Sequence, residues 1–273
     1  MLRIFRLLKS DRGRSCGTLN EVDKRHIELR FIRSQKTYRR AALVQTRMAD
    51  ALICALNELL PQRHFQHILE LGCGDGMLTD RIEERLHFQR LNLVDLVADF
   101  AKYHQHRRNT IFLAGDMENM SLPAADLVLA GAALQWAVNL PKLLARLQSL
   151  LQPGGILAFS TFGPENLLEI ATLTGRSLSY PTLQELIALL TDNHFSILLS
   201  MEERMRLTFS DPLAVLRHLR ETGVNGLKAE RLWNRKCLEK FSRDYRENFC
   251  QQDEQYPLSY HPIWIIAEKQ KHP

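Results

Sequence analysis

The 273-residue chain is 45% apolar and 25% charged, enough for one sizeable core and not obviously for two. Its net charge of +5 is unevenly placed: residues 1–50 hold 13 Lys or Arg against 5 Asp or Glu, and the rest hold 23 against 26. No run approaches the ~18–20 apolar residues of a membrane span, and Cys16, Cys54, Cys73, Cys237 and Cys250 form no C-x-x-C pair, so neither a disulfide framework nor a zinc site is indicated and the cytoplasm is the expected compartment.

First in chain order is a basic N-terminal segment, 1–36. From Leu2 to Leu8, arginine interrupts the apolar residues and no small-residue cleavage site follows, so this reads as a frayed tail rather than a signal peptide. Arg25, Arg30, Arg33, Lys36, Arg39 and Arg40 then place the positive excess ahead of the remaining fold. Such a patch suits an acidic partner (nucleic acid, an anionic membrane or an acidic protein), or it is a solvated helix face. Only Phe31 and Tyr38 interleave it, which is thin for base stacking.

Residues 38–60 carry apolar positions at helical spacing and stop at Pro61. A strand over 67–71 follows, and Glu70 sits at its end, before the turn Gly72-Cys73-Gly74-Asp75-Gly76. Alternating glycines allow a sharp turn and close approach to a ligand, where a Cβ would obstruct both. Next come a helix near 77–86, a strand over 91–95 ending in Asp95, a helix near 97–106 and a strand over 111–115 followed by Asp116. Strand 126–130, helix 140–151, the turn Pro153-Gly154-Gly155 and strand 156–162 complete the regular alternation. This pattern predicts an α/β fold with a mostly parallel sheet and helices on both faces. Beyond it the sequence predicts a helix near 182–192, extended segments near 195–209, helices over 211–222 and 228–250, and a last strand over 258–268. Residues 163–250 exceed what a minimal sheet needs, and this helical insertion is expected as a lid over the ligand-facing edge of a domain spanning 37–273.

Acids at three successive strand ends suit an amine, a ribose diol and an exocyclic amine, the polar handles of S-adenosylmethionine. Asp95 lies 19 residues past Gly76, near the ~20-residue spacing of a ribose-binding acid. The dehydrogenase pattern G-x-G-x-x-G is not met, because position 77 is Met.

Glu70 to Gly76, Asp95, Gly115-Asp116 and the Pro153-Gly154-Gly155 turn resemble the Rossmann-like class I S-adenosylmethionine-dependent methyltransferases, which have a seven-stranded sheet. A narrower resemblance rests on three stretches: residues 115–123, residues 134–140 with Leu134-Gln135-Trp136, and residues 159–167 with Thr161-Phe162-Gly163-Pro164. Together with Tyr38 to Gln45, Met48-Ala49 and Thr222-Gly223-Val224-Asn225, they are similar to the malonyl-acyl-carrier-protein methyltransferases of biotin synthesis. Ala130-Gly131 departs from this pattern, where Ser-Asn is common.

The resemblance implies that Glu70, Gly72, Gly74, Gly76, Asp95, Leu96, Asp116, Met117, Tyr38 and Gln45 bind S-adenosylmethionine. It places Gln135 beside the transferred methyl, with Trp136 and Tyr38 as further positioning candidates. Ser160, Thr161 and Arg or Tyr side chains of the insertion are candidates for gripping a malonyl carboxylate. A carboxylate acceptor is already ionised at neutral pH, since its reference pKa is ~4, so neither a general base nor a metal is expected. His104 and His106 read as surface imidazoles. The implied partner is acyl carrier protein carrying a malonyl thioester, with no nucleic acid, no membrane and a monomeric enzyme. Methylation of another small carboxylic acid or of an RNA base, or a non-catalytic assembly factor on the same fold, remain open alternatives at this point.

Overall fold

The computed structural model describes residues 23–223, 234–251 and 253–271. Five strands, β1 (His64–Leu71), β2 (His87–Asp95), β3 (Thr110–Ala114), β4 (Ala125–Gly131) and β5 (Leu151–Phe162), pair in parallel. Two antiparallel strands, β9 (Pro262–Lys269) and β6 (Phe195–Glu202), extend the sheet to the order β3-β2-β1-β4-β5-β9-β6. The first strands read as unbroken apolar runs because both of their faces are covered. Side chains at alternate positions go to opposite faces. Thus Ile68, Leu91, Leu127, Ile156 and Trp264 pack with Met48, Leu52 and Leu56 on one side of the sheet. Leu69, Val94, Val128, Leu157 and Ile265 pack with Leu143, Leu147 and Leu186 on the other.

The connecting helices are α4 (Met77–Arg85), a 3-10 helix at Ala98–Tyr103, and α5 (Leu140–Leu150). The element expected as a helix over 97–106 is therefore a shorter, tighter turn. Residues 38–60 form two helices, α2 (Tyr38–Ala41) and α3 (Leu43–Leu59). The break is at Ala42, whose ψ of 51° leaves the helical region while its N–H still reaches the Tyr38 carbonyl. Ahead of them, α1 (Lys24–Ser34) is capped by the Asp23 side chain on the His26 amide.

The last expected strand is divided. β8 (Tyr256–Tyr260) leaves the main sheet and pairs with β7 (Met205–Phe209), and the chain turns at His261 before β9. The insertion further holds α6 (Leu168–Thr174), α7 (Leu183–Asp192), α8 (Pro212–Glu221) and α9 (Arg235–Phe249). Glu169 on α6 is buried and accepts from the Ser259 amide at 2.8 Å and its hydroxyl at 2.6 Å, fixing the insertion to β8. The expected start of the helix near 228, and Val224-Asn225 of the threonine-glycine motif, lie outside the described residues. Among the described residues no helix is long and apolar enough to cross a membrane.

Candidate functional site

The strand order reverses between β1 and β4, and at such a switch point the loops after neighbouring strands diverge and leave a crevice. A cleft of about 1100 Å³, counting its open mouth, lies there. Glu70 from β1, Asp95 from β2, and Gly115 and Asp116 after β3 all line it.

The glycine turn forms the floor. Gly72, Gly74, Leu96, Met117, Tyr38 and Gln45 line the same cleft. Gly74 has φ of +54°, and a Cβ built there would meet nothing within 4 Å, so the space above it is open. Gly76 has the opposite reason to be glycine: at φ of +91° its Cβ would sit 2.5 Å from Arg107 Nη2 and 3.2 Å from His104. Gly76 is thus packed from behind, and it is not among the residues that line the cleft.

The acids differ in electrostatic setting. Glu70 is buried, and the Thr79 hydroxyl donates to its Oε2 at 2.8 Å. Burial dominates and pushes the Glu70 carboxyl up to about 8, despite the Thr79 bond and the nearby Arg107 charge. Asp95 accepts from the Gly74 amide through Oδ2 and from the Val97 amide through Oδ1, both at 2.8 Å. Its burial outweighs those two bonds and raises the carboxyl to about 6. Asp116 is less enclosed. Burial opposes its ionisation, but Lys24 Nζ at 2.5 Å and the Glu118 amide hold it below its ordinary value. Lys24 also contacts Glu118 Oε2 at 2.5 Å.

Two buried polar atoms in the cleft wall lack a protein partner, Asp75 Oδ1 and Gln35 Nε2. An unmet buried acceptor or donor costs about 1–3 kcal/mol, so an unmet acceptor on the glycine turn and an unmet donor on the residue after α1 suit a cleft that takes a polar ligand. The three strand-end acids, the open space over Gly74 and these two atoms fit S-adenosylmethionine.

Over the cleft lies α1. Its Lys24, Ile27, Phe31, Ser34 and Gln35 line the cavity. Phe31 meets Tyr38 edge-on at 6.1 Å between ring centroids and Trp136 at 5.9 Å. Behind α1, the Thr37 hydroxyl donates to the Glu221 carbonyl at 3.0 Å, and a Cβ on Gly223 would come within 2.9 Å of Ser34 Oγ. The cover on the described cleft is therefore the N-terminal helix, backed by the end of α8. No described residue of 163–250 lines the cleft, contrary to the expectation that the insertion itself covers it. The described residues on either side of position 36, α1 and Tyr38 of α2, both line the cleft.

The positioning candidates also separate. Trp136 lines the cleft, whereas Gln135 does not. Gln135 spends its amide internally, donating Nε2 to the Ala132 carbonyl at 2.5 Å and accepting from Thr161 at 3.3 Å. Ser160 and Thr161 are buried behind it. His104, expected at the surface, is 4% exposed and touches the glycine turn. Lys24, Phe31, Gln35 and Asp75 were missed from the sequence. Asp75 stands within the glycine motif and carries that signal, while nothing local marks the other three.

Residues 69–159 match the methyltransferase domain family. The malonyl-[acyl-carrier protein] O-methyltransferase of Acinetobacter baylyi is 34% identical over 251 residues, covering 91% of this chain and 98% of that protein. The protein of the same name from Bacteroides thetaiotaomicron is 37% identical over 263 residues, covering 92% and 100%. Among solved structures, the YcgJ protein of Bacillus subtilis superposes with a TM-score of 0.56 at 15% identity, covering 82% of this chain and 100% of its own. An S-adenosylmethionine-dependent methyltransferase of Mesorhizobium loti gives 0.50 at 16%, covering 79% and 96%. The structural likenesses establish the fold, and the near full-length identities establish that the chain belongs to the malonyl-[acyl-carrier protein] O-methyltransferase family.

Proposed function

We propose that this chain methylates the free carboxylate of a malonyl thioester on acyl carrier protein, with S-adenosylmethionine as donor. The observation that carries this reading is the gathering of Glu70, Asp95 and Asp116 on one cleft roofed by Phe31, Tyr38 and Trp136. When bound, S-adenosylmethionine supplies an electrophilic methyl group. Glu70 would accept from its amine, Asp95 from its ribose hydroxyls and Asp116 from its adenine amino group, with Met117 offering a backbone N–H. The rings of Phe31, Tyr38 and Trp136 keep water from the reacting oxygen.

The acceptor carboxylate is ionised without help, so the protein's contribution is alignment and water exclusion, an effect worth up to about 7–11 kcal/mol. Esterification masks a charge on the thioester, leaving a group that chain-elongating enzymes accept as a fatty acyl primer. Gln135 orders the wall through Ala132 and Thr161 instead of lining the cleft. The protein acts in the cytoplasm as a monomer in this reading.

Docking of an acidic carrier falls to the outward side of α1 and α2. Arg25, Lys36 and Arg40 are exposed there, with Leu29 and Ile32 between them. Arg39 does not belong to this surface alone, because it donates to the Asp75 carbonyl at 3.0 Å and to Asp80 at 2.9 Å.

The test is incubation with labelled S-adenosylmethionine and malonyl- or acetyl-carrier protein, followed by intact-mass analysis. One added methyl on the malonyl form alone is expected. Cofactor binding without turnover on either thioester would favour the assembly-factor reading. Transfer to RNA or to a free acid in place of the carrier would favour the other alternative. In the Arg25→Glu, Lys36→Glu, Arg40→Glu triple variant, KM for the carrier should rise most at low salt while cofactor affinity holds, since rim charges act on association. An unchanged KM would place the docking surface elsewhere.

A further inference from the structure

His104 has no part in the cofactor contacts above, yet it lies against the turn that makes them. It is buried, stacked on Phe112 with ring centroids 5.7 Å apart and planes 13° from parallel. Arg107 Nε lies 3.1 Å from its Nδ1. A guanidinium has only donors, so Nδ1 must accept, and the ring proton of the neutral imidazole is on Nε2. That nitrogen lies 3.0 Å from the Gly74 carbonyl and 3.5 Å from Cys73 Sγ. The tautomer therefore follows from the chemistry of its neighbours: Nε2–H donates to Gly74.

Arg107 is itself fixed. Its guanidinium binds Asp80 at 2.5 Å and Glu83, and lies where a Gly76 Cβ would go. On the other side of the same peptide region, the Gly74 amide donates to Asp95 Oδ2. Gly74 is thus held at both polar groups, its carbonyl by His104 and its amide by the acid assigned to the ribose.

We propose that His104 is a positioning residue for the cofactor site: its neutral imidazole, locked by Arg107, holds the Gly74 carbonyl and through Gly74 orients Asp95. Protonation at Nδ1 sets two N–H donors against each other, breaks the Arg107 contact and loosens the turn. The charged groups facing the ring are Arg107 and, more distantly, Asp80 and Asp75, with the Cys73 thiol beside Nε2. Burial leads these influences and holds the imidazole below its ordinary value. The turn accordingly stays intact at neutral pH and loosens on acidification. This inference rests on the cofactor-binding reading of the cleft.

The experiment measures S-adenosylhomocysteine affinity by calorimetry between about pH 5 and 7.5 for the full chain and two variants. His104→Gln keeps a donor for the Gly74 carbonyl and does not titrate. His104→Phe keeps the ring and the stacking but has no donor. At the upper pH, His104→Gln should bind within about threefold of the parent and His104→Phe about tenfold or more weakly. On acidification the parent should lose about tenfold more affinity than His104→Gln. Asp95 and Glu70 titrate in both proteins, so the difference between parent and His104→Gln belongs to His104. Equal acid losses in the parent and His104→Gln, or undiminished binding by His104→Phe, would overturn the proposal. Should His104→Phe fail to fold, the comparison of parent with His104→Gln decides alone. Failure of the parent to bind at any pH would instead refute the cofactor reading of the cleft.

Discussion

Glu70→Gln is the most discriminating single change in the cleft, because it should move stability and binding in opposite directions. Glu70 is 1% exposed, and its carboxyl is raised from an ordinary 4.5 to about 8. A group whose folded value lies above its unfolded value contributes its full stability below the unfolded value. That contribution is lost as pH rises towards the folded one, here from about 4.5 to 8. The whole shift corresponds to roughly 5 kcal/mol, and water admitted by the cleft reduces the net loss to about 1–3 kcal/mol. Glutamine keeps the size and an oxygen for the Thr79 hydroxyl but carries no charge. Urea denaturation of the ligand-free proteins should therefore show Glu70→Gln gaining about 1–3 kcal/mol on the parent between pH 5 and 8.5. Calorimetry at neutral pH should show about tenfold or greater loss of S-adenosylmethionine affinity, since a cation has lost its acceptor. A stability difference that does not change with pH would refute the claim that burial opposes this charge. Undiminished binding would remove Glu70 from the amine.

Asp95→Ala should weaken cofactor binding by about 1.5–3 kcal/mol through loss of a charge-assisted acceptor, and an unaltered calorimetric Kd in a folded variant would exclude Asp95 from the ribose. Gly74→Val should be more severe, combining strain at φ of +54° with a side chain entering the open space above the turn, and normal binding would show that this space serves another purpose. Cofactor affinity should rise with pH as Asp95 and Glu70 ionise, near about 6 and 8, because a cationic ligand favours the charged acids. Single-turnover rates at saturating cofactor should stay flat between about pH 6.5 and 8, and a tenfold climb per pH unit there would indicate a protein general base.

The strands that bear the acids were legible because each signal is local: an apolar run, an acid at its end, a glycine turn. The division of 258–268 into β8 and β9 was not. Tyr256 to Trp264 is apolar with only Ser259 and His261 intervening, no glycine marks the corner, and Pro262, a residue type that also begins strands, marks it only weakly. Tertiary contacts hold the corner: His261 accepts from the Glu165 amide at 3.2 Å and lies 2.9 Å from Glu202. The break at Ala42 is similarly silent, since alanine at that position fits a continuous helix. At the site, Asp95 and Glu70 could be read from spacing, but Phe31 and Lys24 reach the cleft only because α1 folds back over it. His104 was misread because a histidine among Gln105, His106, Arg107 and Arg108 looks solvated. Its burial depends on Phe112 and on the absence of a side chain at Gly76.

One helix has the cavity on one side and exposed cations on the other. Ile27, Phe31 and Ser34 of α1 face the cleft, while Arg25, Leu29 and Ile32 face solvent one turn away. A rigid rod in that position makes two binding events thermodynamically reciprocal. If a carrier docked on α1 shifts its seating and so changes cofactor affinity by some factor, the bound cofactor must change carrier affinity by the same factor. The Lys24 contacts with Asp116 and Glu118 tie the start of α1 to the segment after β3. If the carrier docks on the outward side of α1 as proposed, methyl donor and carrier body would report on each other across the thickness of a single helix, besides meeting through the malonyl group.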